Sequence, residues 1–197
     1  MRSIFTFALL AVVLLLSACA SKPEQELADA QKALEAARAA EADVYSAEAY
    51  QASAEALKSA EAEIAAQEQN SAMSRDFDKA KELLAQAKTQ ADSAASTAAA
   101  NKDRVKGEAE AAQTEAQAAI DTAKTALGKA PKGKGTKADL EALGADLTAA
   151  EGSLLEAQTA LAGGKYMDAL NQFRAVKEKA DAVAADLAQA TQKKKPS

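Results

Sequence analysis

Cys19 is the only cysteine in this 197-residue chain, and there is no histidine at all. Together these two facts decide most of the chemistry open to it. A thiol or serine hydroxyl becomes a strong nucleophile when an imidazole or another base stands beside it, so the Cys-His and Ser-His routes are closed. The acid-rich stretch from Glu108 to Glu115 offers carboxylates, but its spacing scatters them around a helix. Without histidine to converge on, they read as a solvated face paired at i,i+4 with lysines, not as a metal site. Gly133-Lys134-Gly135-Thr136 has residue types suited to a phosphate loop but neither the spacing nor the preceding strand. No catalytic residue, metal or dissociable cofactor is expected.

Cys19 itself is positioned by what precedes it. Arg2 supplies a positive start, Ile4 to Leu16 form a mostly apolar run of 13 residues, and Ser17 and Ala18 are small. This is the layout of a secretory leader, and the apolar run is too short to span a bilayer comfortably. Leu16-Ser17-Ala18-Cys19 resembles the lipobox of bacterial lipoproteins at every position. The resemblance implies that Leu16, Ser17 and Ala18 are recognised by a dedicated signal peptidase. It further implies that residues 1–18 are removed and that Cys19 carries a diacylglycerol thioether and an N-acyl chain. Each buried methylene contributes about 0.8 kcal/mol, so one chain holds marginally where two or more hold stably. In that family an Asp after the cysteine retains the protein at the inner membrane. Ala20 stands there instead, which implies the periplasmic leaflet of the outer membrane.

The elements beyond the anchor follow from composition. Hydrophobic residues make up 48% of the chain but aromatics only 4%, because most of the apolar fraction is alanine. Alanine has the highest helix propensity and buries little area. With Glu, Lys, Gln and Leu as its companions, the chain reads as all-α: long antiparallel helical hairpins in an elongated, coiled-coil-like bundle. Removing Arg2 leaves 23 basic against 29 acidic residues, about −6, which gives no reason to expect nucleic-acid binding.

Punctuation marks the boundaries. A tether over 19–23 leads into a helical run from about Glu24 to Glu68. Gln69 to Ser74 interrupt it, and Ser74 or Asp76 can cap a second run reaching roughly Leu127. Within that run Asn101 and Gly107 are possible points of bending. Residues 24–128 thus form one alanine-rich hairpin and 129–135 a Lys/Gly/Pro linker. A second hairpin over 136–192 opens on a Thr136/Asp139 capping box and turns at Gly163-Gly164. A basic tail, 193–197, closes the chain.

The second hairpin has the clearest buried faces. Leu140, Leu147, Leu154 and Leu161 recur every seven residues with Leu143, Ala150 and Ala157 between them. Tyr166, Phe173, Ala180 and Leu187 do the same with Leu170, Val176, Val183 and Ala190. Heptads on two helices joined by Gly-Gly specify an antiparallel seam. Phe77, Ala80, Leu84, Ala87 and Ala91 repeat the spacing of Tyr166, Ala169, Phe173, Val176 and Ala180, while Tyr50, Leu57 and Ile64 mirror Leu147, Leu154 and Leu161. This pattern resembles the second helix of tetratricopeptide-like hairpins, and also a group of alanine-rich bacterial lipoproteins; a hairpin duplicated once is expected. Between Leu84 and Leu127 the large apolar residues are Val105 and Ile120 alone, so that arm is expected to project beyond the hairpin core as a rod or to pack on the first helix along an alanine seam.

The function expected is a periplasm-facing scaffold or protein-docking adaptor of the cell envelope. Its partners would be membrane lipid through Cys19, another envelope protein or peptidoglycan, and a second copy, since little apolar area is available internally. Lys193, Lys194 and Lys195 could contact peptidoglycan or anionic groups. The lysine-ended tail is similar to that of the major murein lipoprotein, although here Pro196 and Ser197 follow. Lys129, Lys132, Lys134 and Lys137 form a second basic cluster with the same two readings, anion contact or solubility.

Overall fold

The structure, a computed structural model, describes residues 21–131 and 137–192. The leader, Leu16, Ser17, Ala18 and Cys19, the centre of the linker with Thr136, and Lys193 to Lys195 lie outside the described residues. Within them the chain is all-α, with no strand. Six helices follow in order: α1 (Glu24–Ala39), α2 (Ala42–Tyr45), α3 (Ala47–Glu68), α4 (Asp78–Lys129), α5 (Lys137–Ala162) and α6 (Tyr166–Gln192). The chain divides into two compact units, Met1–Asn101 and Lys102–Ser197. The division falls inside α4, while the Lys/Gly/Pro linker lies within the second unit.

In the first unit α1 and α3 run antiparallel and the first part of α4 packs on them. The core gathers Ala30 of α1, Ala56, Leu57, Ala60 and Ile64 of α3, and Phe77, Ala80, Leu84 and Ala87 leading into and along α4. Leu27, Leu34 and Leu83 close over it from the sides. Ser53 is the one buried polar side chain among the described residues, and it donates to the Ala87 carbonyl at 2.7 Å. A hydroxyl in an alanine seam is tolerated because it has found an acceptor. Tyr50, expected in the core, is only half-buried; Tyr45 takes the buried place.

The expected unbroken run from Glu24 to Glu68 is overturned. The chain turns at Ala40-Glu41, where Glu41 adopts φ 59° and ψ 35°, the one left-handed non-glycine residue described. Such a conformation costs about 1–2 kcal/mol for an L-residue. What offsets it is burial: a single helix of that length would leave its apolar stripe exposed, whereas the turn buries Ala37, Ala42 and Tyr45 and lays α1 against α3. Asn101 fastens the corner, its Nδ2 donating to the Tyr45 carbonyl at 2.8 Å. Neither Asn101 nor Gly107 interrupts α4, which is helical over 52 residues.

In the second unit α5 and α6 form the antiparallel hairpin that their heptads specify. Leu147, Ala150, Leu154 and Ala157 are buried on α5, and Leu170, Phe173, Val176, Ala180, Val183 and Leu187 on α6. The Gly163-Gly164 turn is a Schellman closure. Lys165 N–H donates to the Ala160 carbonyl and Gly164 N–H to that of Leu161, with Gly164 at φ 77°. The later part of α4 does not project as a rod. Val105, Ala109, Ala116, Ile120 and Ala123 are buried, Glu108 meets Arg174, and Lys124 meets Glu151. That part of α4 buries an alanine seam, but against α5 and α6 and not on the first helix as the sequence suggests, because the large side chains that need covering lie on those two helices.

Candidate functional site

The place to which the Cys19 motif directs attention is the end of the first unit where the described chain begins. Pro23 is fully buried there, and its carbonyl accepts the Leu27 N–H at 3.0 Å, starting α1. Proline suits a helix start, since it has no N–H to satisfy and its φ is preset. Beside it Lys22 Nζ reaches Glu68 at 2.8 Å. The hydrogen bond that Lys22 donates to the Glu68 carboxylate raises the amine's pKa above its usual range, with burial opposing. Residue 22 is therefore held against the last turn of α3, and the α3–α4 loop starts at the same spot.

That loop is tightly organised. Arg75 donates from Nε to the Asn70 carbonyl and from its terminal nitrogen to that of Glu68, both at 3.1 Å. It thereby meets carbonyls left open at the end of α3, the role a cation serves at a helix C-terminus. Gln67 Oε1 accepts from Asn70 Nδ2 and from the Asp76 N–H, while Gln67 Nε2 donates to Glu63. The hydroxyls of Ser71 and Ser74 lie 2.5 Å apart. Asp76 Oδ1 accepts the Asp78 N–H, so of the two expected caps Asp76 serves α4 and Ser74 serves the loop. At the apex Met73 is 95% exposed, on a loop whose backbone is otherwise pinned. In the sequence this segment reads as a break with Ser74 and Asp76 as candidate caps. The missed signal was a large apolar side chain among Gln, Asn and Ser.

Two clefts lie elsewhere. At the corner of the first unit, Ser46, Glu48, Gln90, Ser93 and Asn101 line a space of about 490 Å³. Gln90 Oε1 is buried there with no protein partner. In the second unit Glu108, Glu115, Leu170, Phe173, Arg174 and Lys177 line a smaller one of about 260 Å³. Glu108 is bound to Arg104 and to Arg174, and Lys177 to Asp181 at 2.8 Å, so arginine and not lysine takes the i,i+4 place beside Glu108. Nearby the Tyr166 ring has Lys102 and Lys106 each 6.0 Å from its centre, at the limit of a cation–π contact.

Among the described residues no three acidic side chains converge as a metal site, and no helix is long and apolar enough to cross a membrane. Of the basic cluster, Lys137 pairs with Glu141 at 3.8 Å and Lys129 ends α4; Lys132 and Lys134 lie outside the described residues. No family model, curated protein or solved structure matches the chain.

Proposed function

We propose that this chain is a non-enzymatic lipoprotein, anchored through lipid on Cys19 in the periplasmic leaflet of the outer membrane, whose two helical units serve as a scaffold or docking adaptor of the cell envelope. The observation that carries the reading is the tetrapeptide Leu16-Ser17-Ala18-Cys19 at the end of a leader whose mostly apolar run is 13 residues long. Pro23 is buried four residues after the cysteine, so on this reading the first helical unit begins close to the lipid surface. The non-enzymatic part rests on composition: no histidine, and a single cysteine committed to acylation.

The test is direct. In a diderm host the wild-type protein sediments with membranes after a high-salt wash, and mass spectrometry finds its N-terminal peptide beginning at Cys19 with the mass of the added lipid. Cys19→Ala moves the protein to the soluble fraction. An unmodified thiol, or a Cys19→Ala protein still fully in the membrane pellet, would defeat the reading.

A further inference from the structure

We infer that the α3–α4 loop is a second membrane contact, with Met73 seated in the headgroup zone and the first unit standing on the bilayer by that end. The inference rests on Cys19 being acylated, while the presentation of Met73 by its loop is read from the structure. Cys19 and Lys22 are three residue steps apart, with Ala20 and Ser21 between them, and an extended chain covers at most ~3.6 Å per step, so the anchor is within about 11 Å of Lys22. Lys22 is fixed to Glu68 at 2.8 Å, and the loop leaves α3 at the following residue. Whatever surface holds the lipid therefore lies beside the loop.

A lone exposed apolar side chain ordinarily signifies nothing. Met73 differs in its setting. It crowns a loop tied by Arg75, Gln67, Ser71 and Ser74, so presenting it to lipid costs little further ordering. Methionine is also flexible and polarisable, suited to an irregular apolar medium. Lys22, Arg75 and Lys79 are outnumbered at this end by Glu24, Glu63, Glu68, Asp76 and Asp78, so attraction to anionic lipid is not the driving force. The anchor keeps the loop at high local concentration against the bilayer, and a weak apolar contact then suffices. The opposite end of the unit, with Val44 half exposed beyond α1, is about 24 Å away along that helix and out of reach.

The experiment uses the full, lipid-processed chain. Acylation occupies the sulfur of Cys19, so Met73→Cys and, separately, Val44→Cys each carry one free thiol for an environment-sensitive dye. The labelled proteins are reconstituted into phosphatidylethanolamine/phosphatidylglycerol vesicles with or without brominated acyl chains, and the N-terminal peptide of each sample is weighed. The expected result is lipid on Cys19, a blue-shifted dye at residue 73 that loses most of its emission to the brominated lipid, and a water-like, unquenched dye at residue 44. A lipidated protein with a water-like dye at 73 overturns the loop contact and leaves the anchor standing. A blue shift at 73 without quenching assigns the loop to a second copy of the chain and overturns the contact too. Equal quenching at both positions overturns the end-on seat. An unmodified Cys19 removes the anchor reading and this inference with it.

Discussion

Glu63 and Ser53 share one helix, α3, and show how few polar groups fix the first unit. Ser53 is fully buried and gives its hydroxyl to the Ala87 carbonyl. Glu63 stays partly exposed and receives Gln67 Nε2 at 3.0 Å and Lys79 Nζ at 3.1 Å. The Gln67 hydrogen bond, then that from Lys79, lowers the Glu63 carboxyl below its ordinary range, against a smaller opposing effect of burial. The sign follows: the charged form is favoured by folding, so its contribution is present above the ordinary carboxylate range and is lost as pH falls through the depressed value. A carboxyl-carbon NMR titration should find the Glu63 midpoint moving upward in Gln67→Ala and, to a lesser extent, in Lys79→Ala. No movement in either variant would mean that the tie between α3 and α4 is absent in solution. None of this pairing was legible in the sequence. Residues 63, 67 and 79 become a group only once the loop returns the chain on itself.

At the scale of elements, reading by period succeeded where large side chains mark it and failed where they do not. Leu147, Leu154, Phe173 and Leu187 announced a seam that the α5–α6 hairpin forms, and Gly163-Gly164 announced its turn. The corner between α1 and α3 has no such mark. Ala39-Ala40-Glu41-Ala42 contains no glycine, proline or asparagine, and each residue there favours helix by itself. The turn is decided by tertiary burial of Ala42 and Tyr45, which overrides local preference. The left-handed Glu41 can therefore be relieved. Glu41→Gly should raise the urea-unfolding free energy by about 0.5–1 kcal/mol, the left-handed penalty less glycine's entropy cost. A β-branched Glu41→Val should lower it by a comparable amount. If Glu41→Gly were destabilising, the corner would be held by the glutamate side chain and not merely endured by its backbone. Asn101 misleads in the opposite direction. It reads as an interruption, yet it sits inside α4 because its amide serves the corner and not its own helix.

At the scale of the whole molecule, two cores unequal in content are joined by one continuous helix. Phe77, Tyr45, Leu84, Leu57 and Ile64 supply the large side chains of the first. Leu147, Leu154, Leu170, Phe173, Val176, Val183, Leu187, Val105 and Ile120 supply those of the second. Since burying a large apolar side chain is worth about 1.5–3 kcal/mol, the second unit is expected to melt at the higher temperature. Truncating a buried phenylalanine costs about 3–5 kcal/mol. Phe77→Ala should therefore split thermal unfolding by circular dichroism into two steps, the earlier one belonging to the first unit, while Phe173→Ala brings the two transitions together. A single, unchanged transition in Phe77→Ala would show that α4 makes both units melt as one. Helix content and the second hairpin could be read from the sequence; the sharing of α4 could not, because alanines between Leu84 and Leu127 satisfy any neighbour equally well.

Those seams carry a lesson about the composition itself. Ala80, Ala87, Ala91, Ala94, Ala98, Ala109, Ala116 and Ala123 along α4 are buried to the last methyl. With only a methyl between backbones, the helices lie as near each other as side chains allow, and any larger group wedges them apart. Alanine abundance in this chain is accordingly a gauge setting, a fixed clearance written repeatedly, and what looks like low-complexity drift is a dimension the molecule must keep.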